Sequence, residues 1–272
     1  LPQPRSSASP APPASDASEI EPLLSADGRS EFDVRKVIDC LTDADSFIEF
    51  KPEYGQTVVC GTAKLGGISI GIVANQHQRV TTAEGRMQFG TVMYVDSADK
   101  SARFVMMCNQ QWLPILFLQD VNGFMVGSES EHSGIIKAGA KLVSAVSNSR
   151  VPKITLLIGG SFGAGNYALC GKAFDPAMIY AWPNARCAVM GGDQATSTLL
   201  DITVKRLQRD GQEADASELE QIRDQVKADY ERQTDIRYAA ARGWVDAIIT
   251  PDGKTLIVAE TFVGRLSCFD IE

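Results

Sequence analysis

The stretch VPKITLLIGGSFGAGNYALC, residues 151–170, decides the fold class of this chain. It opens with Ile154–Ile158, a short apolar run of the kind that forms a strand buried on both faces. The glycine-rich segment GGSFGAG, residues 159–165, predicts a tight turn, because glycine tolerates backbone conformations that are closed to other residues. A helix is expected after the turn. Strand, glycine turn and helix in this order are the unit of an α/β fold with parallel strands.

The same unit recurs on both sides of this stretch. Further apolar runs predict strands at Ile115–Gln119, Met178–Trp182 and Ala188–Met190. Glycine-containing turns, NGFMVG and GGDQA, follow the first and the last of these runs. The segment 133–148 predicts a helix packed on a sheet, because one stripe carries its apolar residues, Ile135, Gly139, Leu142, Val143 and Val146. We therefore predict an α/β fold with a parallel sheet.

The N-terminal segment differs in composition from the rest of the chain. Residues 1–30 begin with LPQPRSSASPAPPASDAS, in which Pro, Ser and Ala leave almost nothing to bury, so we expect a flexible linker. Folded structure is predicted for residues 31–272. It opens with a short helix in EFDVRKVIDCL and continues with a small meander of three β-rich runs, Phe47–Phe50, Thr57–Ala63 and Ile68–Val73.

Two polar segments interrupt this pattern. Residues 76–90 contain glycine and have no clear period, so they are predicted to form a loop, and a helix is predicted after it at residues 97–111. Residues 205–235 are dense in both signs of charge, which is typical of a solvent-exposed helical arm.

Composition and charge exclude several classes of protein. The 272 residues carry 26 Lys and Arg against 34 Asp and Glu, a net charge of -8, and this balance repels nucleic acid and anionic lipid. No apolar run approaches the ~18 residues of a membrane-spanning helix. The six cysteines form no CxxC pair and are expected to be buried and reduced, and His77 and His132 lie in no metal-binding spacing, so no metal site is expected. Because the chain begins at Leu1, we expect a natural split subunit or a piece of a longer protein.

The segment Gly159–Gly163 reads GGSFG and satisfies GxSxG, the turn that carries the nucleophile of α/β-hydrolases. In that family a histidine follows the serine, but both histidines here precede Ser161, so the class is nearly excluded. A Ser–Lys dyad with Lys153 or Lys172 has no second signature to support it. The glycines keep two interpretations open: close packing, or backbone N–H groups at a helix start that bind an oxyanion. Neither GxGxxG nor a Walker A loop is present in this segment.

Three long runs resemble a known family. They are FLQDVNGFMVG at residues 117–127, SGIIKAGAKLVSAVSNSRVPKITLLIGGSFGAGNYALCGKAFDP at residues 133–176 and AWPNARCAVMGGDQA at residues 181–195. In this order they resemble the carboxyltransferase β subunits of biotin-dependent acyl-CoA carboxylases, above all the methylcrotonyl-CoA and geranyl-CoA type. The resemblance spans residues 31–249 and covers the C-terminal half of such a subunit. It implies a crotonase-like (ClpP/crotonase) fold, a superhelix of ββα turns, with residues 31–272 as the C-terminal carboxyltransferase domain.

The resemblance also implies site residues. It places the backbone donors of an oxyanion hole at Ala164 and Gly165. The biotin pocket is implied at Gly123, Phe124, Gly163 and Asn166, and acyl-substrate contacts are implied at Tyr167, Gly191 and Gly192. The catalytic groups are then backbone amides, and the family needs no acid or base from this half.

The resemblance further implies a reaction and its participants. The expected function is transfer of a carboxyl group from carboxybiotin, carried on a carrier protein, to an acyl-CoA. The expected partners are the N-terminal carboxyltransferase half and a biotin carboxylase or biotin carrier subunit, within a homo- or hetero-oligomer, in the cytoplasm or in the mitochondrial matrix of a eukaryote. Two alternatives stay open: the carboxyltransferase subunit of a decarboxylase of glutaconyl-CoA type, and a non-catalytic module that docks a biotin carrier.

Overall fold

The structure is a computed structural model that describes residues 9–24, 30–210, 216–252, 255–260 and 265–270. Its central feature is a ten-stranded mixed sheet. The α-helices of the described residues are α1 (Val34–Leu41), α2 (Val95–Gln111), α3 (Ser128–His132), α4 (Ile135–Asn148), α5 (Gly163–Ala168), α6 (Gly192–Arg209), α7 (Ala216–Thr234) and α8 (Ile236–Ala240). The strands are β1 (Ile48–Glu49), β2 (Val58–Leu65), β3 (Ile68–Asn75), β4 (Val80–Thr81), β5 (Met87–Gln88), β6 (Val92–Met93), β7 (Ile115–Val121), β8 (Gly123–Phe124), β9 (Lys153–Phe162), β10 (Met178–Ala181), β11 (Arg186–Ala188), β12 (Ala247–Ile249), β13 (Thr255–Glu260) and β14 (Arg265–Asp270).

The main sheet has the order β1-β2-β3-β7-β9-β10-β12-β13-β14. Strands β1, β2 and β3 pair antiparallel, which confirms the predicted meander. Every neighbouring pair from β3 to β12 is parallel, which confirms the predicted parallel sheet. The strand predicted at Ala188–Met190 lies two residues earlier, in β11, and pairs with the far end of β9.

A strand, a short second strand and a helix recur along the chain. Strand β3 is followed by β6 and α2, and β7 is followed by β8 and α4. The short strands β6 and β8 pair with each other in a separate parallel sheet. Helices α2 and α4 pack together, and α4 carries the predicted apolar stripe as buried residues, among them Ile135, Gly139 and Leu142. The repeat therefore has the composition ββα.

Two cores lie on opposite faces of the main sheet. Successive residues of its strands alternate between them, because strand side chains point to opposite faces with a period of two. On β3, Val73 lies in the core beneath α2 and α4, whereas Ile72 lies in the core beneath α1. On β7, Phe117 and Leu118 divide in the same way. Burial on both faces explains why these strands are continuous apolar runs in the sequence.

The segment predicted as a loop at residues 76–90 contains a small hairpin. Its strands β4 and β5 pair antiparallel, with Val80 opposite Gln88. The helix predicted at residues 97–111 is confirmed as α2, and it begins two residues earlier. Ser97 caps that start, since its Oγ accepts a hydrogen bond from the N–H of Tyr94 at 2.9 Å.

The predicted linker at residues 1–30 is wrong for the part near its end. Residues 17–19 and 21–23 form two 3-10 turns, and the Ile20 side chain between them is fully buried in the core beneath α1. Upstream, the N–H of Ser15 donates to the carbonyl of Asp39 at 3.3 Å. The Pro, Ser and Ala composition of the first 18 residues concealed these contacts, because backbone hydrogen bonds and the side chain of Ile20 hold the segment.

Candidate active site

The turn between β9 and α5 is the first component of the candidate site. Strand β9 ends at Phe162, and α5 begins at Gly163, whose φ of +55° lies in the left-handed region that favours glycine. The first amides of a helix have no acceptor within it. The N–H groups of Ala164 and Gly165 therefore stand at the positive end of α5, where they can stabilise a negatively charged oxygen.

Buried side-chain hydrogen bonds hold this turn against β7. The Ser161 Oγ donates to Oε1 of Gln119 at 2.7 Å and accepts from Nδ2 of Asn166 at 2.7 Å. Nε2 of Gln119 donates to the carbonyl of Leu169 at 2.6 Å. The three side chains thus connect β7, the end of β9, and the middle and C-terminal end of α5.

Close packing against Val121 of β7 fixes Gly165, a glycine of the turn. A Cβ added to Gly165 would lie 2.5 Å from Cγ2 of Val121, a separation that real Cβ atoms do not adopt. Gly165 is buried, whereas Ala164 is exposed. The close-packing interpretation therefore applies to Gly165, and oxyanion binding by the amides of this turn stays a prediction.

Within the part of the chain that the structure describes, no base contacts Ser161. Its hydroxyl is fully buried and has its hydrogen bonds with Gln119 and Asn166. Nζ of Lys153 donates to the carbonyl of Ser149 at 2.8 Å, and Nζ of Lys172 lies 3.8 Å from the carboxylate of Asp246. The GxSxG segment is thus a structural turn, and the hydrolase interpretation is not supported by the geometry.

We predict that Ser161 does not react with a fluorophosphonate probe and that Ser161→Ala destabilises the protein. The alanine leaves Oε1 of Gln119 and Nδ2 of Asn166 unpaired in the interior, which costs about 1–3 kcal/mol. Urea denaturation with an unchanged slope measures this loss. The matched control is Ser147→Ala, because the exposed Ser147 hydroxyl bonds only a carbonyl of its own helix and should change stability by at most about 0.5 kcal/mol. Stoichiometric labelling of Ser161 would contradict this account.

A cavity of about 760 Å³ opens beside the turn. Its floor is formed by Gly163, Ala164 and Asn166 from α5, and Cys187 to Val189 from β11 and the following residue form one side. Four aromatic residues also line it, Tyr167, Tyr230, Tyr238 and Trp244. Cavities with apolar walls and a few placed polar groups are typical of small-molecule sites.

The C-terminal end of α7 lines one side of this cavity. The hydroxyl of Tyr230 donates to the carbonyl of Met190 at 2.8 Å and accepts from the N–H of the same residue at 3.2 Å. Gln233 and Thr234 lie on the wall as well, and Thr234 is buried. The prediction of a solvent-exposed arm at residues 205–235 is therefore wrong for its last turn, where Tyr230 and Thr234 interrupt the charged pattern at helical spacing.

The cavity carries little charge. Among the described residues that line it, Lys172 bears the one formal charge. Burial raises the pKa of the Cys187 thiol, against a smaller lowering by its hydrogen bond with Ser161, so the thiol is neutral at pH 7. The site therefore offers amide donors and one ammonium group to a ligand that carries negative charge.

The structure brings some of the predicted site residues together and separates others. Four of them, Gly163, Ala164, Asn166 and Tyr167, lie on the cavity wall. Gly165 lies directly behind them, and the added Cβ at that position would be 3.3 Å from Cα of Gly123, so strand β8 abuts the turn. Phe124 lies farther along β8, against Gly139 of α4. Gly191 precedes α6 and Gly192 begins it, beside the ring of Tyr230.

Sequence reasoning missed the aromatic residues that complete the wall. Tyr230, Tyr238 and Trp244 come from α7, α8 and the segment before β12, some 65 to 80 residues after the glycine-rich turn. Their sequence signal is weak, because a tyrosine within a charged helix or before a strand has many possible partners. The pairing of β12 with β10 and the hydrogen bonds of Tyr230 with Met190 bring this segment next to the turn.

The described residues contain no group of three or more His, Cys, Asp or Glu side chains arranged to hold a metal ion. Within the same part of the chain, none of the helices is both long enough and apolar enough to cross a bilayer.

Comparison with known proteins gives consistent results. The family model described as the carboxyl transferase domain matches residues 1–260. The methylcrotonoyl-CoA carboxylase beta chain of Dictyostelium discoideum, a mitochondrial protein, is 40% identical over 242 residues, which are 89% of this chain and 39% of the relative. The biotin-dependent 3-methylcrotonyl-coenzyme A carboxylase beta1 subunit of Mycobacterium tuberculosis is 41% identical, over 88% of this chain and 43% of the relative. The crystal structure of the geranyl-CoA carboxylase beta subunit of P. aeruginosa superposes with a TM-score of 0.77 at 35% identity, over 90% of this chain and 44% of that one.

Proposed function

The chain belongs to the carboxyl transferase domain family, and from this premise we propose that it is the part of an acyl-CoA carboxylase carboxyltransferase that receives carboxybiotin. The fold class predicted from the sequence, a crotonase-like ββα superhelix, is confirmed by the likeness to a solved member of that family. The chain spans about two fifths of the length of the relatives it matches. The activity, substrates and partners given below are therefore proposals.

The observation that carries the proposal is the start of α5 at the floor of the cavity. A ureido carbonyl oxygen accepts hydrogen bonds in line with N–H donors, and Ala164 presents such a donor at an exposed helix start. The aromatic and aliphatic wall fits a bicyclic ring of low polarity. Lys172 fits the negative charge of an attached carboxylate, because it is the one charged side chain among the described lining residues. Its present partner is the carboxylate of Asp246, at 3.8 Å.

Carboxybiotin, when bound there, would supply the carboxyl group. The chain's own contribution is to hold and orient. The amides of Ala164 and Gly165 stabilise negative charge on the ureido oxygen as it develops, and one such donor is typically worth about 3–4 kcal/mol. The hydrogen bonds of Ser161 keep these amides in place before the reaction. Tyr230 and Trp244 add aromatic surface to the wall, against which the ring system would pack.

The remaining assignments follow from the resemblance and the relatives. We place the second oxyanion hole, for the thioester, on an N-terminal carboxyltransferase half, and the biotin on a carrier subunit. Residues 31–272 would form the C-terminal domain, and Tyr167, Gly191 and Gly192 would approach the acyl group. The likeness to carboxylases of methylcrotonyl-CoA and geranyl-CoA favours a branched acyl-CoA and carboxylation over decarboxylation. The compartment would be the cytoplasm or, as the name of the Dictyostelium relative indicates for that protein, a mitochondrion.

Calorimetric titration of the chain with free biotin and with lipoate tests the proposal. Both ligands have a ring and a carboxylate tail, but lipoate has no ureido oxygen. We expect biotin to bind at least about tenfold more tightly, because a site built for a hydrogen-bonding group discriminates strongly against an analogue that lacks it. Equal affinities would contradict ureido recognition and would favour a module that binds only the carrier protein.

A further inference from the structure

The pairing of β7 with β9 contains an irregularity next to the turn. Gln119 pairs with Leu157, but Val121, two residues later, pairs with Ser161, four residues later on β9. Asp120 alone therefore stands opposite the three residues 158–160. Extra residues on one strand disrupt the ladder locally and leave backbone groups without their regular partners.

The carboxylate of Asp120 occupies this irregularity. Its Oδ1 accepts a hydrogen bond from the N–H of Gly160 at 2.8 Å, and its Oδ2 is in close contact with Nδ1 of His77. The N–H of Asp120 donates to Oδ1 of Asn75 at 3.1 Å. The His77 ring stacks on Phe32, with centroids 4.6 Å apart and planes inclined by 14°. His77, the second residue after β3, thus anchors the carboxylate that holds β9.

Two glycines make room for this arrangement. A Cβ on Gly159 would lie 2.4 Å from Oδ1 of Asp120, and a Cβ on Gly160 would lie 2.9 Å from the Phe162 ring. Replacement of either glycine would push the carboxylate or the ring out of place. The sequence Gly159-Gly160 therefore serves the bulge, separately from the glycines of the α5 turn.

The register that this bulge creates decides where the turn lies. Beyond it, Ser161 stands opposite Val121, whose side chain packs against Gly165. The same register brings the Ser161 hydroxyl between Gln119 and Asn166. A slip of one residue would reverse the faces of all these side chains. The Asp120 contact with Gly160 therefore acts on the amides of Ala164 and Gly165 through β9.

We propose that Asp120, anchored by His77, is a positioning residue that fixes the oxyanion-binding turn by holding the β9 bulge. The proposal rests on the proposed function for its consequence in biotin binding, but its structural part is independent of that function. Asp120 and His77 are not catalytic residues in this account, since they line a different cavity, of about 500 Å³, together with Asn122 and Gly160.

The test compares Asp120→Ala, Asp120→Asn and His77→Phe with the parent chain. Alanine removes both acceptors, whereas asparagine keeps an oxygen for the Gly160 N–H, and phenylalanine keeps the stack on Phe32 but removes Nδ1. Two readouts are needed: the affinity for free biotin, and hydrogen exchange of the amides of Leu169, Cys170 and Gly171, which donate to carbonyls of α5. We expect Asp120→Ala to speed this exchange at least about tenfold and to weaken biotin by about 10- to 100-fold, because small misplacements of binding groups are costly. Asp120→Asn should restore both to within about threefold of the parent, and His77→Phe should lie between the two.

The matched control is Asp43→Ala. Asp43 is also buried, but it lies between α1 and β1, and its carboxylate accepts from the N–H groups of Gly66 and Gly67, in the turn between β2 and β3, at 2.7 and 2.8 Å. The Asp43→Ala substitution should lower the melting temperature without changing the hydrogen exchange of these three amides or the affinity for biotin.

Three outcomes separate the claims. If Asp120→Ala behaves like Asp43→Ala, or if His77→Phe exchanges like the parent, Asp120 is only structural and the inference is wrong. If Asp120→Ala does not fold, hydrogen exchange in the His77→Phe variant decides the question: a rate equal to that of the parent shows that the inference is wrong. If exchange responds as expected but the parent chain does not bind biotin, the positioning role stands and the proposed function fails.

Discussion

Ala164→Pro is expected to lower carboxyl transfer by about 10²- to 10³-fold, the usual cost of removing one oxyanion donor. Proline has no N–H and fixes φ near -65°, a value that the first turn of a helix accepts. The substitution therefore removes the donor that lies on the cavity wall, with little strain in α5. The rate is measured as transfer between free biotin and acyl-CoA, in an assay that supplies the acyl-CoA half.

Ala164→Ser is the matched control, because serine keeps the N–H and should keep the parental rate. Equal melting temperatures of the two variants would show that the fold is intact. Gly165 is a less informative position, since any side chain there meets Val121 at 2.5 Å and would disturb the turn as well as the donor. A folded Ala164→Pro protein with an undiminished rate would show that this amide is not a donor.

The second large effect concerns the chain by itself, which is expected to carboxylate no acyl-CoA. The family resemblance implies two oxyanion holes, one for biotin and one for the thioester, and this chain spans only 39–44% of the length of its relatives. Addition of the N-terminal half should restore transfer from carboxybiotin. Radioactive label transferred from carboxybiotin to the acyl-CoA measures the product. Turnover by the purified chain without any partner would contradict this division of labour.

The parallel sheet could be predicted because its strands are buried on both faces. Phe117 and Leu118 enter opposite cores, so the run ILFL contains no polar residue. The stripe of α4 was equally clear, since it packs on one side only. The burial of Ile20 was not predictable from local composition, because its partners in α1 and the sheet are formed by distant parts of the sequence.

The candidate site likewise has one part that the sequence predicts and other parts that it does not. The glycine-rich turn could be predicted from the sequence, because the chain needs glycine at Gly163 for its positive φ and at Gly165 for the approach of Val121. The aromatic wall and the bulge could not be predicted in this way. Tyr230 reaches the site only through the fold of α7, and Asp120 gains its role only from a register shift that no sequence period encodes.

An NMR titration of the ¹⁵N-labelled chain with free biotin tests the central claim most directly. If the cavity beside α5 receives the ureido group, the amide protons of Ala164 and Gly165 move downfield as hydrogen bonds form, and resonances of Tyr230 and Trp244 change with the same saturation curve. Lipoate should leave the two amides unmoved. The account would be contradicted if biotin at saturation shifts the residues around Asp120 and Gly160 instead, or leaves Ala164 and Gly165 where they are.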